Sequence, residues 1–443
     1  MDPLFGLALL PLSVAVLVGG MAIIRAAGSR LGWSAELQRK SVHVATGLFA
    51  MSLPWILPEA WLVYTLLAVA VVVMLVLRLP AIANGIGSAL HGVERKSWGD
   101  LMLVAAVASL YFISGQAAEP VLYLLPLAVL TLSDTAAALA GVKYGQIRFT
   151  VEDGQKSLEG SAIFFLVTWI IAMAALLLLS DVPRANVVLL SFMTAAFATL
   201  VEADSWRGFD NYFVPVGVML LISVHMDSSP RELVMLAMGF LATLYILTTF
   251  GGRLLGLTDH AARAYTAGIF MISTVTAPQN LVLPVVLLIT HAVARRLNPD
   301  SARYPDLDML AALAAISFIS LIGGLAAGRT AISFYAIACA GLILQMAVLA
   351  ACHCSRAFRF GIWVGAGAIL FAATISVVAL NGLAANWHGE VAWITAASLL
   401  LCGAVAFAWP GFLIDRRHAK TAIIALIIPL TSYLVLHFGK GVA

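Results

Sequence analysis

Residues 133–161 read SDTAAALAGVKYGQIRFTVEDGQKSLEGS, an acid within an apolar stretch followed by a polar loop. A carboxylic acid in a membrane-embedded helix is costly unless it faces a cavity or a partner. Asp134 precedes Gly141, read as the helix end, by about 10 Å of helix. Lys143, Arg148 and Lys156 lie in the loop, and Glu159 opens the next apolar run. An acid at that depth, beneath a cationic loop, suits a metal–phosphate group meeting a substrate dissolved in lipid. A packing acid satisfied by a neighbouring hydroxyl or amide is the competing reading. If such a metal–phosphate group is the cation that meets it, Asp134→Asn should leave folding intact or slightly improved, because an uncompensated buried charge has gone.

Three further segments carry chemistry. In residues 36–47, Arg39 and His43 are four apart and share a helix face. Arg39 and Lys40 above a histidine suit phosphates, although cations at span ends also snorkel to headgroups. Residues 91–100 bring Arg95 and Lys96, with Trp98 as an interfacial anchor. Residues 201–215 gather Glu202, Asp204, Asp210 and Asn211. Glu202 and Asp210 flank two span ends, and such oxygen ligands suit Mg²⁺ held jointly with phosphates. Gly141, Gly145, Gly154 and Gly160 let backbone approach a ligand closely. The helix opening at Ser157 offers free N–H groups to an anion. Plain helix capping also explains Glu159.

The elements that must position these groups are membrane spans. The chain has 443 residues, 62% hydrophobic and 11% charged, with mean hydropathy +1.01. That composition defines a polytopic, all-α membrane protein. Apolar runs fall near 5–25, 42–58, 60–79, 99–114, 120–141, 160–180, 185–202 and 212–226. They continue near 233–252, 264–278, 281–297, 309–327, 330–351, 360–380, 389–409 and 419–437, about 16 transmembrane helices in two halves. The runs at 42–58, 212–226 and 264–278 are short enough to be buried or re-entrant helices. Alternating the loops puts all of the 25 basic residues except Arg184, Arg231, Arg329 and Lys440 on one side. By the positive-inside rule that side is cytoplasmic, so the N- and C-termini lie outside the cytoplasm. The N-terminus has no basic residue before its apolar run and reads as a first span. The four cysteines fall late, in or beside apolar runs, and read as small core residues.

Taken in order, the motifs resemble the family of phytol kinase and dolichol kinase, related to phosphatidate cytidylyltransferases. They are Arg39-Lys40 with His43 and Gly47, then residues 95–99 (RKSWG), then Ser133-Asp134 with Ala138, Gly141 and Tyr144-Gly145. Residues 156–161 (KSLEGS), Val201-Glu202 and Asp210-Asn211 with Val214-Pro215 complete the set. The match covers roughly residues 20–226. It implies a lipid-alcohol kinase domain over 1–228 and a second membrane domain of unassigned function over 229–443. The implied reaction transfers a phosphoryl group from CTP or another NTP, with Mg²⁺, to an isoprenoid alcohol such as phytol, geranylgeraniol or polyprenol.

On that reading Asp134, His43, Lys156 and Glu159 are catalytic candidates, with the proton acceptor open between His43 and Asp134. Arg39, Lys40, Arg95, Lys96, Lys143, Lys156, Ser157 and Gly160 are nucleotide- or phosphate-binding candidates, and Asp134, Glu202, Asp210 and Asn211 metal candidates. The expected partners are a membrane lipid and a nucleotide, with no nucleic acid and a homo-oligomer left open. Where the family commonly has Gly-Asp and two basic residues, this chain has Ser133-Asp134 and Val142-Lys143. A cytidylyltransferase making a CDP-lipid and a lipid transporter or flippase are the alternatives. The charges concentrated in cytosolic loops, rather than mid-membrane, speak against transport.

Overall fold

A computed structural model describes residues 3–57, 59–77, 98–117, 119–151, 154–205 and 207–275, with scattered positions between 281 and 372. The chain divides into two compact units, Met1–Met238 and Gly239–Ala443. The first holds α1 (Pro3–Arg30), α2 (Ala35–Ile56), α3 (Ala60–Leu77), α4 (Gly99–Ala117) and α5 (Val121–Ala128). A π turn (Val129–Ser133) joins α5 to α6 (Asp134–Tyr144). A hairpin of β1 (Arg148–Val151) and β2 (Gly154–Ser157) leads to α7 (Leu158–Leu179), α8 (Arg184–Asp204) and α9 (Asp210–His225). Helix α10 (Pro230–Leu255) runs across the boundary between the units, and α11 (Asp259–Val275) follows in the second.

Five helical stretches are long and apolar enough to cross a membrane: Ala8–Arg30, Val121–Tyr144, Leu158–Leu179, Arg184–Asp204 and Pro230–Leu255. Three more are apolar but shorter, Ala60–Val76, Gly99–Gly115 and Asp210–His225. Each expected span as far as 264–278 overlaps a helix among the described residues, but α2 and α11 are too polar or short to join these sets. Those from 281–297 onward lie outside the described residues. The architecture is that of an all-α membrane protein with one addition. The polar loop at 148–157 is an antiparallel hairpin, pairing Phe149 with Lys156 and Val151 with Gly154. Its strands are four residues each, too short for alternation to announce them.

Helix α9 forms the centre of the first unit. Its residues 214–222 are all buried, as expected of a helix apolar on every side. It packs against α4, α5, α8 and the π turn. Helix α2 lies along the rod formed by α5, the π turn and α6. Lys40, Gly47, Ala50 and Leu53 are its buried residues, spaced to form one helical face. Along that face Lys40 meets Asp134, Gly47 meets Thr131, and Ala50 accepts from the Tyr123 hydroxyl at 2.7 Å. The approach at Gly47 is close enough that a Cβ there would come within 2.6 Å of Thr131 Cγ2.

Candidate functional site

Each charged group is delivered by a local feature of the chain. Ser34 caps α2 by accepting from the Leu37 N–H at 3.2 Å, and the next turn carries Arg39 and Lys40. Asp134 begins α6 directly after the π turn. The helix runs on to Tyr144 rather than stopping at Gly141, so Asp134 lies about 15 Å from its end. Lys156 is the penultimate residue of β2, and the hairpin register carries it toward α8. The α8–α9 turn is tight: Arg207 and Gly208 adopt φ of 51° and 82°. It is tied to α4 by Trp98 N–H donating to the Arg207 carbonyl, 2.9 Å, and Asn211 Nδ2 donating to the Gly99 carbonyl, 2.8 Å. That clamp fixes Asp210 at the start of α9.

Two lysine–carboxylate pairs result. Lys40 Nζ donates to Asp134 Oδ2 at 2.6 Å, the two side chains being 4% and 14% exposed. His43 Nε2 lies 3.5 Å from the same Oδ2 and 3.4 Å from the Leu130 carbonyl oxygen. Lys156 Nζ donates to Glu202 Oε1 at 2.7 Å and also to the Glu202 carbonyl. Burial works against the charge of Lys156. The adjacent Glu202 carboxylate, then Asp210, the hydrogen bond and Asp134 outweigh it and raise its pKa above the ordinary lysine value.

The pairs share one electrostatic neighbourhood. The Asp134 charge reaches Lys156 and Glu202, and that of Asp210 reaches Arg39, His43, Lys156 and Glu202. The structure thus gathers Arg39, Lys40, His43, Asp134, Lys156, Glu202 and Asp210, which the sequence scatters over 172 positions from 39 to 210.

Other candidates have different surroundings. Arg39 grips Glu36 with both ends of its guanidinium, at 2.7 and 2.9 Å. Ser157 accepts from the Gly160 N–H at 3.1 Å, capping α7. Gly160 and Gly141 are the crossing point of α7 and α6, where a Cβ on Gly160 would come 3.1 Å from the Ala137 carbonyl oxygen. Two of the four glycines expected to admit a ligand, Gly141 and Gly160, thus lie against a neighbouring helix. The Glu159 carboxylate accepts from the Ile147 N–H at 3.1 Å, anchoring the hairpin's entry. Lys143 lies over the ring of Tyr144, 5.2 Å from its centroid. Arg95 and Lys96 lie outside the described residues.

The pairing of Lys40 with Asp134 overturns one expectation. Asp134 already has a cation of the protein beside it, and a nearly inaccessible one. Sequence reasoning grouped Arg39 with His43; the face that turns inward carries Lys40 and His43, three apart. It also missed the Leu130 carbonyl, which the π turn presents to His43. A π turn interrupts the regular ladder and recurs at functional sites.

Among the described residues, no three His, Cys, Asp or Glu side chains group closely enough to hold a metal by themselves. The arrangement can still pair buried cations with an anionic ligand and buried carboxylates with a cation. The chain is similar to a phytol kinase from Synechocystis sp., 26% identical over 219 residues, covering 48% of this chain and 91% of that protein. No protein-family model matches the chain, and no solved structure does.

Proposed function

We propose that this protein is a membrane-embedded kinase that phosphorylates an isoprenoid alcohol from CTP or another nucleoside triphosphate with Mg²⁺. The observation that carries the reading is the joint cluster of two lysine–carboxylate pairs, Lys40–Asp134 and Lys156–Glu202, beside Asp210. The similarity to phytol kinase supports it. Phosphoryl transfer asks a protein to position its reactants and offset negative charge, more than to form bonds itself. Buried lysines able to turn from carboxylates to phosphates meet the second demand. Asp134, within the apolar stretch Val121–Tyr144, would meet the hydroxyl of a lipid-dissolved alcohol.

The donor set fits a magnesium ion. Mg²⁺ commonly takes one or two carboxylates, several waters and substrate phosphates, so a cluster of three protein ligands is not required. Glu202 keeps its Oε2, Lys156 being on Oε1, and Asp210 stands at the same helix junction. These two, with the Asn211 amide oxygen, would hold the ion. When bound it would neutralise charge on the transferring phosphate. Lys156, Lys40 and Arg39 would meet the phosphates. In this reading the sixteen-span topology holds, with both termini outside and the cluster toward the cytoplasm, where nucleotides are.

The test is purified full-length protein in detergent with CTP, ATP, GTP or UTP against phytol, geranylgeraniol, polyprenol and phosphatidic acid. Release of nucleoside diphosphate with a prenyl monophosphate is expected. Pyrophosphate release from phosphatidic acid and CTP would establish cytidylyl transfer instead.

A further inference from the structure

Resting on the phosphotransfer reading above, we infer that His43 is a positioning residue: its Nε2–H holds Asp134 against the π turn, and the ring does not take the proton of the alcohol. The Nε2 atom has two oxygens within reach, the Leu130 carbonyl at 3.4 Å and Asp134 Oδ2 at 3.5 Å. A carbonyl oxygen only accepts, and so does a carboxylate ionised by a lysine ammonium 2.6 Å away. A bare Nε2 would point its lone pair at two others. The proton therefore resides on Nε2, as the surrounding acceptors dictate for any histidine.

The backbone explains why the carbonyl is available. In the π turn Val129–Ser133 the hydrogen-bond ladder lengthens by one residue, and Leu130 lies within it. The ring is also held in place. Gly47, one turn beyond His43, packs directly on Thr131, the residue after Leu130. The charged groups facing His43 are Lys40 from its own helix, Asp134 from α6 and Asp210 from α9. Lys40 and His43 both converge on Oδ2 of Asp134, which leaves Oδ1 as the oxygen turned to other work.

Two substitutions separate donor from proton acceptor. Gln at position 43 carries an amide N–H near the place of imidazole Nε2 but cannot act as a base. Phe fills the space with no donor. In the full-length protein His43→Gln should keep geranylgeraniol phosphorylation within about tenfold, while His43→Phe loses 10²-fold or more of kcat, the scale of a misplaced catalytic group. If His43 were the base, both variants would lose on the order of 10²–10⁴-fold, which overturns the inference, as does full activity of the Phe variant. A second readout needs no activity. Nitrogen-15 histidine spectra, with the His43 resonance assigned by its loss in His43→Gln, should show Nε2 protonated and Nδ1 bare. An Nδ1–H tautomer would overturn the inference. The expected tautomer in a protein that phosphorylates no alcohol would leave it standing while removing the kinase reading.

Discussion

The chemistry of the site turns on the buried pairing of Lys40 with Asp134. Truncating one partner of a buried ion pair costs about 3–5 kcal/mol, because the other charge is stranded. Asp134→Asn is therefore expected to lower unfolding stability by about that amount, contrary to the neutral effect that an isolated acid would give. Adding Lys40→Met should restore most of it, because an apolar replacement of both partners is often neutral. Chemical unfolding in detergent checks both steps. Lys156 makes the complementary statement about pH. Its pKa is raised on folding, so its contribution is fully present below the ordinary lysine value of 10.5 and is lost only as pH climbs through the higher folded value. The melting temperature should show no loss from this pair between pH 7 and pH 10 and a decline above. Glu202→Gln should remove that alkaline decline. Sequence reasoning named Asp134, Glu202, Lys40 and Lys156, since acids and bases at span ends stand out in an apolar chain. It did not pair them, because pairing depends on contacts across 94 and 46 residues that no local pattern encodes.

At the level of elements, helix α2 and the α5–π–α6 rod form the part of the fold that sets the geometry. Most helices were legible from apolar runs alone, and their ends agree with the expected ones within a few residues. The π turn was not, because its residues, VLTLS, are ordinary apolar-helix residues and the extra residue is accommodated by packing. The hairpin escaped for the opposite reason, its strands being short and polar. Gly47 carries the close approach: Gly47→Ala drives a methyl into the Thr131 side chain. Overpacking of this kind typically costs about 1–3 kcal/mol. Thr131→Ala in the same chain should recover most of the loss, and thermal unfolding of the two variants measures it. A Gly47→Ala variant as stable as the parent would show that α2 does not press on the π turn.

For the whole molecule the proposed orientation makes a mapping prediction. Arg39, Lys40 and Lys156 of the cluster fall on the side that the positive-inside rule assigns to the cytoplasm. With the native cysteines removed, single cysteines at Gly115 and Pro183 should react with an impermeant thiol reagent added to intact cells. Cysteines at Gly154 and Gly208 should react only after permeabilisation. Outside labelling of either of the latter would reverse the orientation and put the cluster away from cytosolic nucleotide.

On the proposed function the buried lysine–carboxylate cluster transfers a phosphoryl group, rather than merely bracing helices. The most direct measurement uses γ-labelled nucleoside triphosphate and geranylgeraniol with the parent protein and the Lys40→Met/Asp134→Asn pair, at matched amounts of folded protein. The label should appear on the lipid with the parent and fall by at least about 10²-fold with the stable double variant. Near-normal labelling by a double variant as stable as the parent would contradict the catalytic role of the cluster.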